Sequence, residues 1–359
     1  MLQVRTPYYV NSRTLVSGEV QVNIDLYVWT GDKVTDKPAD PNYEFEMIRP
    51  ADDITILSKD ISPMIRDFFI NEEVSLFQTS QTTQNQSVWA QWDVTVVDDT
   101  GADVDTTSSD VIDAVEGYTL YMDNVNFEPS TDGLILVSSE CKKIYDEGLL
   151  ISPISVNGIT EIKYYFDNVL QNTIQVIPTN IDLDQSSEQI YYLNIDVSNA
   201  NVDEVRVDTI DTTRVDSKTF KVVCENKFEP VNIVFKNKLG VYENVYLFKK
   251  PKTSIQNKSE MFKTGVSNGQ TYNTSLGQYR KYNVQGKETI KAMTGYVSEC
   301  FNQTLEELML SEKIFIQTDS QLIPVNIKTE NVEFLTQLAD QKINYELEFE
   351  YAFDKINTM

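Results

Sequence analysis

The chain has 359 residues and a net charge of −25, from 30 basic and 55 acidic side chains, and it contains no histidine. The absence of histidine excludes Ser-His-Asp and Cys-His catalytic groups and every metal site that needs an imidazole ligand. No apolar run approaches the roughly 18 residues of a membrane-spanning helix, and the N-terminal residues lack a signal or transit pattern. We therefore expect a soluble protein without a membrane partner.

Strand patterns dominate the first 148 residues. Apolar and polar residues alternate with a period of two, which is typical of half-buried strands, in 20–29, 43–47 and 88–96. Weaker strand signals lie at 118–122 and 134–137. A short helix is predicted from Ser62, which can cap it, and Pro63 suits its first turn. These patterns predict an N-terminal β-sandwich domain over residues 1–148.

A second group of strand patterns follows at the spacing of a β-sandwich. Seven short strands are predicted, at 161–166, 173–177, 190–197, 204–210, 219–224, 231–236 and 241–248. Their number and spacing predict an immunoglobulin- or fibronectin-like sandwich over residues 149–254. Pro251 and the polar run at 253–259 indicate a break after it.

The last part, 255–359, is predicted to be a small α+β assembly domain. A loop at 267–271 and a strand near 287–293 precede one amphipathic helix within 297–309, with Thr294 or Ser298 as possible caps. Strands at 313–317 and 322–327 follow. The fold class is therefore mainly β, with tandem β-sandwich (immunoglobulin/fibronectin-like) domains followed by an α+β domain with one amphipathic helix.

The final strand, 343–353, has the most regular alternation in the chain. Its apolar face excludes any slip of register, since a slip of one residue would bury glutamates. The polar face carries Glu346, Glu348 and Glu350. These carboxylates either discourage edge-to-edge aggregation or await basic residues across a strand or an interface.

The charge is distributed unevenly along the chain. Residues 1–220 hold 13 basic and 38 acidic side chains, whereas residues 221–291 hold 13 basic and 5 acidic ones. The basic stretch is rich in lysine, and the long-range field of the whole chain repels phosphate. We therefore expect no nucleic-acid binding, and we interpret the stretch as a solvated face or one that meets an acidic protein.

Few residues suggest chemistry. Cys141, Cys224 and Cys300 are far apart and lack a CxxC pair, so we expect buried thiols and neither a disulfide scaffold nor a zinc site. The acidic loop Asp98–Asp113 does not fit the twelve-residue calcium loop, and a solvated hairpin loop is favoured over calcium. No catalytic residue, cofactor or metal ligand is assigned. Trp29 and Trp89 could stack on sugars, although covering a core or an interface is the favoured interpretation.

Three stretches carry a resemblance to a known group of proteins. IDLYVWTGDK…YEFEMIRP…DISPMIRDFF (24–69), KNKLGVYENVYLFKK (236–250) and YNVQGKETIKAMTGYVSECFNQTLEELMLSEKIFIQ…IPVNIKT…QKINYELEFEYAFDKIN (282–357) resemble tailed-bacteriophage virion proteins of the tail or baseplate. The resemblance implies a structural role in a tail, neck or baseplate and transfers no catalytic residue. It implies a virion location after assembly in the host bacterial cytoplasm.

The leading hypothesis is therefore a non-enzymatic virion component that forms rings with itself and contacts other virion proteins. Its interface is predicted to include Lys249, Lys250 and Lys252 together with the glutamates of the final strand, and reversing the three lysine charges is expected to block incorporation into particles. The alternative is a host-surface adhesin that binds glycans through Trp29 and Trp89. An enzyme, with a pair of carboxylates as in glycoside hydrolases, is the least favoured.

Overall fold

The computed structural model describes residues 1–51, 53–69, 74–78, 88–176, 190–198, 201–225, 227–265, 275, 277–336 and 343–356. This part of the chain is mainly β, as the sequence predicts, with 22 strands and two short α-helices. Neither of these helices is long and apolar enough to cross a membrane.

The N-terminal region contains a six-stranded sheet and a two-stranded sheet. Its elements are β1 (Leu2–Gln3), β2 (Tyr9–Asn11), β3 (Glu19–Thr30), β4 (Tyr43–Ile48), β5 (Ser58–Asp60), α1 (Ser62–Arg66), β6 (Val88–Asp98), β7 (Asp103–Ser108) and β8 (Ile112–Val115). The large sheet has the order β1-β8-β6-β3-β4, and β7 pairs with β6; β2 pairs with β5. Alternate apolar residues of β3 pack with Ile61 and Ile65 near α1 in one core.

Two facing sheets form the middle region. Its strands are β9 (Lys143–Tyr145), β10 (Leu149–Ser155), β11 (Glu161–Phe166), β12 (Val169–Gln175), β13 (Ile190–Asp196), β14 (Glu204–Ile210) and β15 (Arg214–Val223). β10 pairs with β13, and the other five strands form a sheet in the order β12-β11-β14-β15-β9. Apolar residues from both sheets meet in a single core, as the buried Leu150, Ile162 and Phe220 illustrate.

A seven-stranded sheet forms the C-terminal region. Its elements are β16 (Val231–Lys236), β17 (Tyr242–Leu247), β18 (Lys252–Lys263), β19 (Tyr279–Met293), α2 (Phe301–Met309), β20 (Ile314–Gln317), β21 (Leu322–Ile327) and β22 (Glu346–Tyr351). The strand order is β17-β16-β20-β21-β22-β19-β18. α2 packs its apolar side, with Phe301, Leu305 and Leu308, on one face of this sheet.

Buried contacts tie the three regions together. Tyr242 of the seven-stranded sheet packs with Tyr192 of β13 and Val115 of β8 in a shared cluster. The turn before β17 approaches the N-terminal region so closely that a Cβ on Gly240, whose φ is +78°, would lie 2.5 Å from the backbone nitrogen of Gly117. Only glycine fits this contact without displacing backbone.

Most strands agree with the sequence-based predictions, and several details differ. The segments 118–122 and 134–137 form no strand; the first contains a short 3-10 turn, and the second makes one isolated bridge through Ile135. Ser62 does not cap α1, because its hydroxyl donates a hydrogen bond to Asp60 Oδ1 at 2.7 Å instead. The loop predicted at 267–271 lies outside the described residues.

Sheet membership differs from the predicted seven-stranded sandwich. β16 and β17 belong to the C-terminal sheet, where β16 pairs with β20. The polar run 253–259 is part of β18, so the predicted boundary between residues 254 and 255 falls inside a strand. The division into the ranges 1–148, 149–254 and 255–359 stays a prediction.

The expectation that Cys224 and Cys300 are buried free thiols is wrong. Cys141 and Cys300 form a disulfide between the segment before β9 and the residue that precedes α2. Cys300 and Cys224 are exposed, and Cys141 is half-buried. The pairing residues are 159 positions apart in the sequence, so their spacing alone gave no sign that the fold brings them together.

Candidate functional site

The most unusual surface of the molecule is the hairpin of β18 and β19, here called the ribbon. Eleven of the twelve residues of β18 are exposed, and the outer half of β19 is exposed as well. Ile255, Met261, Phe262, Tyr279 and Tyr282 are among the large exposed apolar side chains. A row of such side chains outside a core is typical of a binding surface rather than of a solvated hairpin.

Local geometry explains why these side chains lie on both faces of the ribbon. β18 and β19 pair in antiparallel register, and the register shifts between Lys258 and Glu260. Asn283 has φ of +48° at this shift, as a β-bulge residue does. Beyond it, Phe262 and Tyr282 lie on one face with their ring centroids 5.4 Å apart, while Met261 pairs with Lys281 on the other.

The ribbon is also basic. β18 and β19 together contain seven basic and two acidic residues, within a chain whose net charge is −25. At the base of the ribbon, Lys287 and Lys291 of β19 pair with carboxylates of β22. Among the described residues, no carboxylate lies within 4 Å of the outer cations, which are Lys258, Lys263, Arg280 and Lys281. The outer half of the ribbon therefore combines uncompensated positive charge with exposed apolar area.

The glutamates predicted at an interface have partners within the chain. Glu348 pairs with Lys291 at 2.8 Å and with Lys328 at 3.1 Å, and Glu350 pairs with Lys287 at 3.0 Å. The two lysines beside Glu348 hold its pKa below the usual range. Glu346 is exposed. β22 lies inside the sheet, so two of these three side chains stabilise neighbouring strands of their own chain.

The lysines predicted at an interface lie at the foot of the ribbon. Lys249, Lys250 and Lys252 are all exposed. Lys249 has a distant ion pair with Glu225, 3.9 Å between Nζ and Oε2. The structure thus leaves these three side chains available to a partner, and it extends the exposed surface along the ribbon.

The N-terminal sheet carries an acidic face. Asp25 of β3 lies opposite Glu44 of β4 and opposite Asp93 of β6, so three carboxylates form a row across the N-terminal sheet. Like charges directly opposite each other destabilise a sheet. Burial and the two neighbouring carboxylates raise the pKa of Asp25. Glu46 adds a further carboxylate on the exposed side of β4.

A different arrangement of charge occupies the centre of the molecule. Lys142 and Glu243 form a buried ion pair, 3.0 Å between Nζ and Oε2, and Glu243 also accepts hydrogen bonds from Ser138 and Asn237. Nearby, Glu116 Oε2 lies 3.0 Å from Lys236 Nζ and 2.8 Å from Lys313 Nζ. Each carboxylate joins two regions of the fold, which suits a role in fixing their relative position.

A small cavity lies beside this centre. It has a volume of about 150 Å³ and is lined in part by Tyr118, Lys238, Gln303 and Glu307. Burial and the charge of Glu243 raise the pKa of Glu307 to about 7. A cavity of this size is smaller than the ~300 Å³ at which small-molecule pockets begin.

The tryptophans proposed as sugar platforms are buried. Trp29 is 4% exposed and Trp89 is 1% exposed, and their indole nitrogens donate hydrogen bonds to the backbone oxygens of Asp32 and Gly31. Neither ring presents a face to a sugar, so this assignment is wrong for the folded chain. The alternation of apolar and polar residues does not show whether the second face of a strand is buried by other segments or exposed to solvent.

The acidic residues of the 98–113 segment lie apart from one another. Asp98 Oδ1 accepts hydrogen bonds from the backbone of Thr100 and Ala102 in the turn between β6 and β7. Asp105 pairs with Arg13, and Asp113 is buried on β8, where burial raises its pKa to about 7. Within the described residues, no group of three or more Asp, Glu or Cys side chains could hold a metal ion.

The sequence patterns do not predict the exposed apolar residues of the ribbon. The polar run at 253–259 predicts a break, and the apolar residues beyond it are too few to form a core face. Two signals could have identified them: the pair Met261-Phe262 and the pair Tyr279/Tyr282 flank a polar, glycine-containing stretch, which is the pattern of a long hairpin.

Comparison with known proteins gave no match: no family model matches the chain, and neither a curated protein nor a solved structure does.

Proposed function

We propose that the chain is a non-enzymatic structural subunit of a tailed-bacteriophage virion, from its tail, neck or baseplate. In this role it assembles through β-rich interfaces with copies of itself in a ring and with other virion proteins, first in the host bacterial cytoplasm and then as part of the particle. The resemblance of the segments 24–69, 236–250 and 282–357 supports the particle context.

The observation that carries the assembly role is the ribbon. It exposes Met261, Phe262 and Tyr279 on a basic hairpin, although a monomer has no need for such side chains in water. Subunit interfaces are enriched in tyrosine, phenylalanine and methionine, which matches this set. The lysines Lys249 and Lys250 extend the same surface towards the body of the molecule.

The finer fold assignment belongs to this proposal. The two sheets of the middle region face each other across one apolar core, as the sheets of an immunoglobulin- or fibronectin-like sandwich do. We propose that this region and the N-terminal sheet act as spacers or docking faces in the assembly. The adhesin hypothesis loses its sugar platforms with the burial of Trp29 and Trp89.

Mass spectrometry of purified particles, with the copy number of each protein, tests the proposal. We expect this chain in intact particles at a fixed copy number of three, six or twelve, in keeping with closed ring symmetry. Its absence from particles would overturn the proposal. So would a purified chain that stays monomeric, binds no particle component and converts a defined compound.

A further inference from the structure

The seven-stranded sheet has two edges of opposite character. The edge formed by β17 is buried along its whole length, whereas β18, at the other edge, is exposed. Twelve strand residues span about 40 Å. Among the described residues, no strand pairs with the outer side of β18. Folded proteins normally shorten, twist or cover an exposed edge of this length, because it is a template for the pairing of a further strand.

The positive charge of the ribbon argues against pairing of two such edges with each other. Lys258 and Lys263 lie on opposite faces of β18, and Arg280 and Lys281 lie on the neighbouring strand. Two ribbons side by side would place these cations together, which costs free energy because like charges repel. The complementary strand must therefore carry negative charge.

The N-terminal sheet offers such an edge in β4. This strand ends its sheet, and within the described residues only β3 pairs with it. Its sequence, YEFEMI, has two acidic residues and no basic one. Among the described residues, no cation lies within ion-pair distance of Glu44 or Glu46. Ile48 at its end is 70% exposed and adds apolar area.

The other exposed acidic edge, β7, is a poorer complement. Asp105 on that strand already pairs with Arg13, 2.9 Å between Nε and Oδ2. On β4, Glu44 instead lies opposite Asp25, which in turn lies opposite Asp93, so its own sheet adds repulsion to it. Cations from a second molecule would offset that repulsion.

We propose that β18 of one copy adds as a strand to the edge of β4 of a second copy, so that the ribbon docks on the acidic N-terminal sheet. The contact is head to tail, since each copy contributes a basic edge from its seven-stranded sheet and an acidic edge from its N-terminal sheet. Such a contact repeats from copy to copy and closes into a ring or extends into a stack. This inference rests on the proposed function, because it names the surface through which the subunit meets itself.

A charge-swap experiment with the full-length chain tests the contact. Purified protein at about 50 μM and low ionic strength is measured by light scattering coupled to size-exclusion chromatography. We expect oligomers that weaken as salt is added, because the paired charges are screened. The double variants K252E/K258E, which changes two exposed lysines on one face of β18, and E44K/E46K should each lower the oligomer affinity by at least tenfold. A chain with all four changes should recover it.

The matched control is K221E/K227E, which makes the same change in net charge at two exposed lysines outside the ribbon. It should leave the oligomer affinity within about twofold of that of the parent protein. Far-ultraviolet circular dichroism and melting temperature establish that each variant is folded. Amide hydrogen exchange should show protection of β4 and β18 in the oligomer relative to the dilute chain.

Three results would overturn the contact: a parent protein that stays monomeric, normal assembly of E44K/E46K, or a chain with all four changes that does not recover the oligomer affinity. Loss of assembly in K252E/K258E alone, with E44K/E46K unaffected, would mean that the ribbon meets a surface of the second copy other than β4, and would also overturn the contact. These results are separate from the particle measurement. A chain that is present in particles, with E44K/E46K incorporated normally, contradicts this contact while the proposed function stands.

Discussion

The buried half of the seven-stranded sheet, with β16 and β17, and its exposed half, with β18 and β19, place charged and apolar side chains in opposite ways. In the buried half, β16 and β17 carry Lys236 and Glu243 in full burial, each with a partner of opposite charge. The outer strands β18 and β19 expose Met261 and Phe262 to water. In the buried half, charged groups make contacts within the chain. In the exposed half, apolar side chains face water, where a second molecule can contact them.

This difference indicates which strands determine the free energy of unfolding and which are available for assembly. A buried ion pair is costly to break, because removing one partner leaves the other charge without compensation in a low-dielectric surrounding. An exposed apolar side chain contributes little to the monomer, because folding removes little of its area from water. Substitutions in the two halves should therefore have unequal effects on the free energy of unfolding.

The largest effect is expected at the buried pair. Glu243→Gln keeps the shape of the side chain but leaves the Lys142 ammonium, which is 2% exposed, without its counter-charge. We expect a loss of about 3–5 kcal/mol in the free energy of unfolding, measured by urea titration. Glu350→Gln is the matched control, because it breaks a more exposed pair with Lys287 and should cost less than about 1 kcal/mol. Equal losses in both variants would contradict the distinction between the two halves.

A smaller effect is expected from Glu307, which lies beside the buried pair. Burial raises its pKa in the folded chain from 4.5 to about 7. The folded state therefore holds a proton that the unfolded state releases between these values, so this group stabilises the fold below pH 4.5 and loses that contribution as the pH rises through 7. The urea-derived stability of the parent protein relative to Glu307→Gln should fall between pH 5 and pH 8, by on the order of 2 kcal/mol.

The control for this pH dependence is Glu306→Gln on the exposed side of the same helix. Its stability difference from the parent protein should change much less over the same pH range. A difference between the parent protein and Glu307→Gln that stays constant from pH 5 to pH 8 would contradict the assignment of the titrating proton to Glu307.

Sequence alone predicted the elements whose pattern is set by a core. The alternation of the final strand correctly placed Leu347 and Phe349 in the interior, because any other register would have buried glutamates. The boundaries of β11, β14, β16 and β21 were also predicted to the residue. In β11, β14 and β21, alternate side chains pack against a core, which imposes a period of two on the sequence, whereas β16 is buried on both faces and reads as an apolar run.

The same reasoning failed where the fold brings distant residues together or where no core exists. The pair Lys142–Glu243 and the disulfide Cys141–Cys300 join residues about 100 and 159 positions apart, and no local pattern encodes such a meeting. The ribbon was missed for the opposite reason. Its side chains face water on both sides, so no core imposes an apolar face on residues 253–259, and the segment reads as a break.

The smallest effect on stability is expected at the ribbon itself. Met261 and Phe262 are 65% and 45% exposed, so replacing both by serine should change the free energy of unfolding by less than about 0.5 kcal/mol. Leu305→Ala, in the core under α2, is the comparison and should cost about 2–5 kcal/mol. A large loss in the ribbon variant would mean that these side chains support the monomer. A negligible loss would show that these side chains do not stabilise the monomer, which favours a contact with another molecule because exposed apolar patches are typical of binding surfaces.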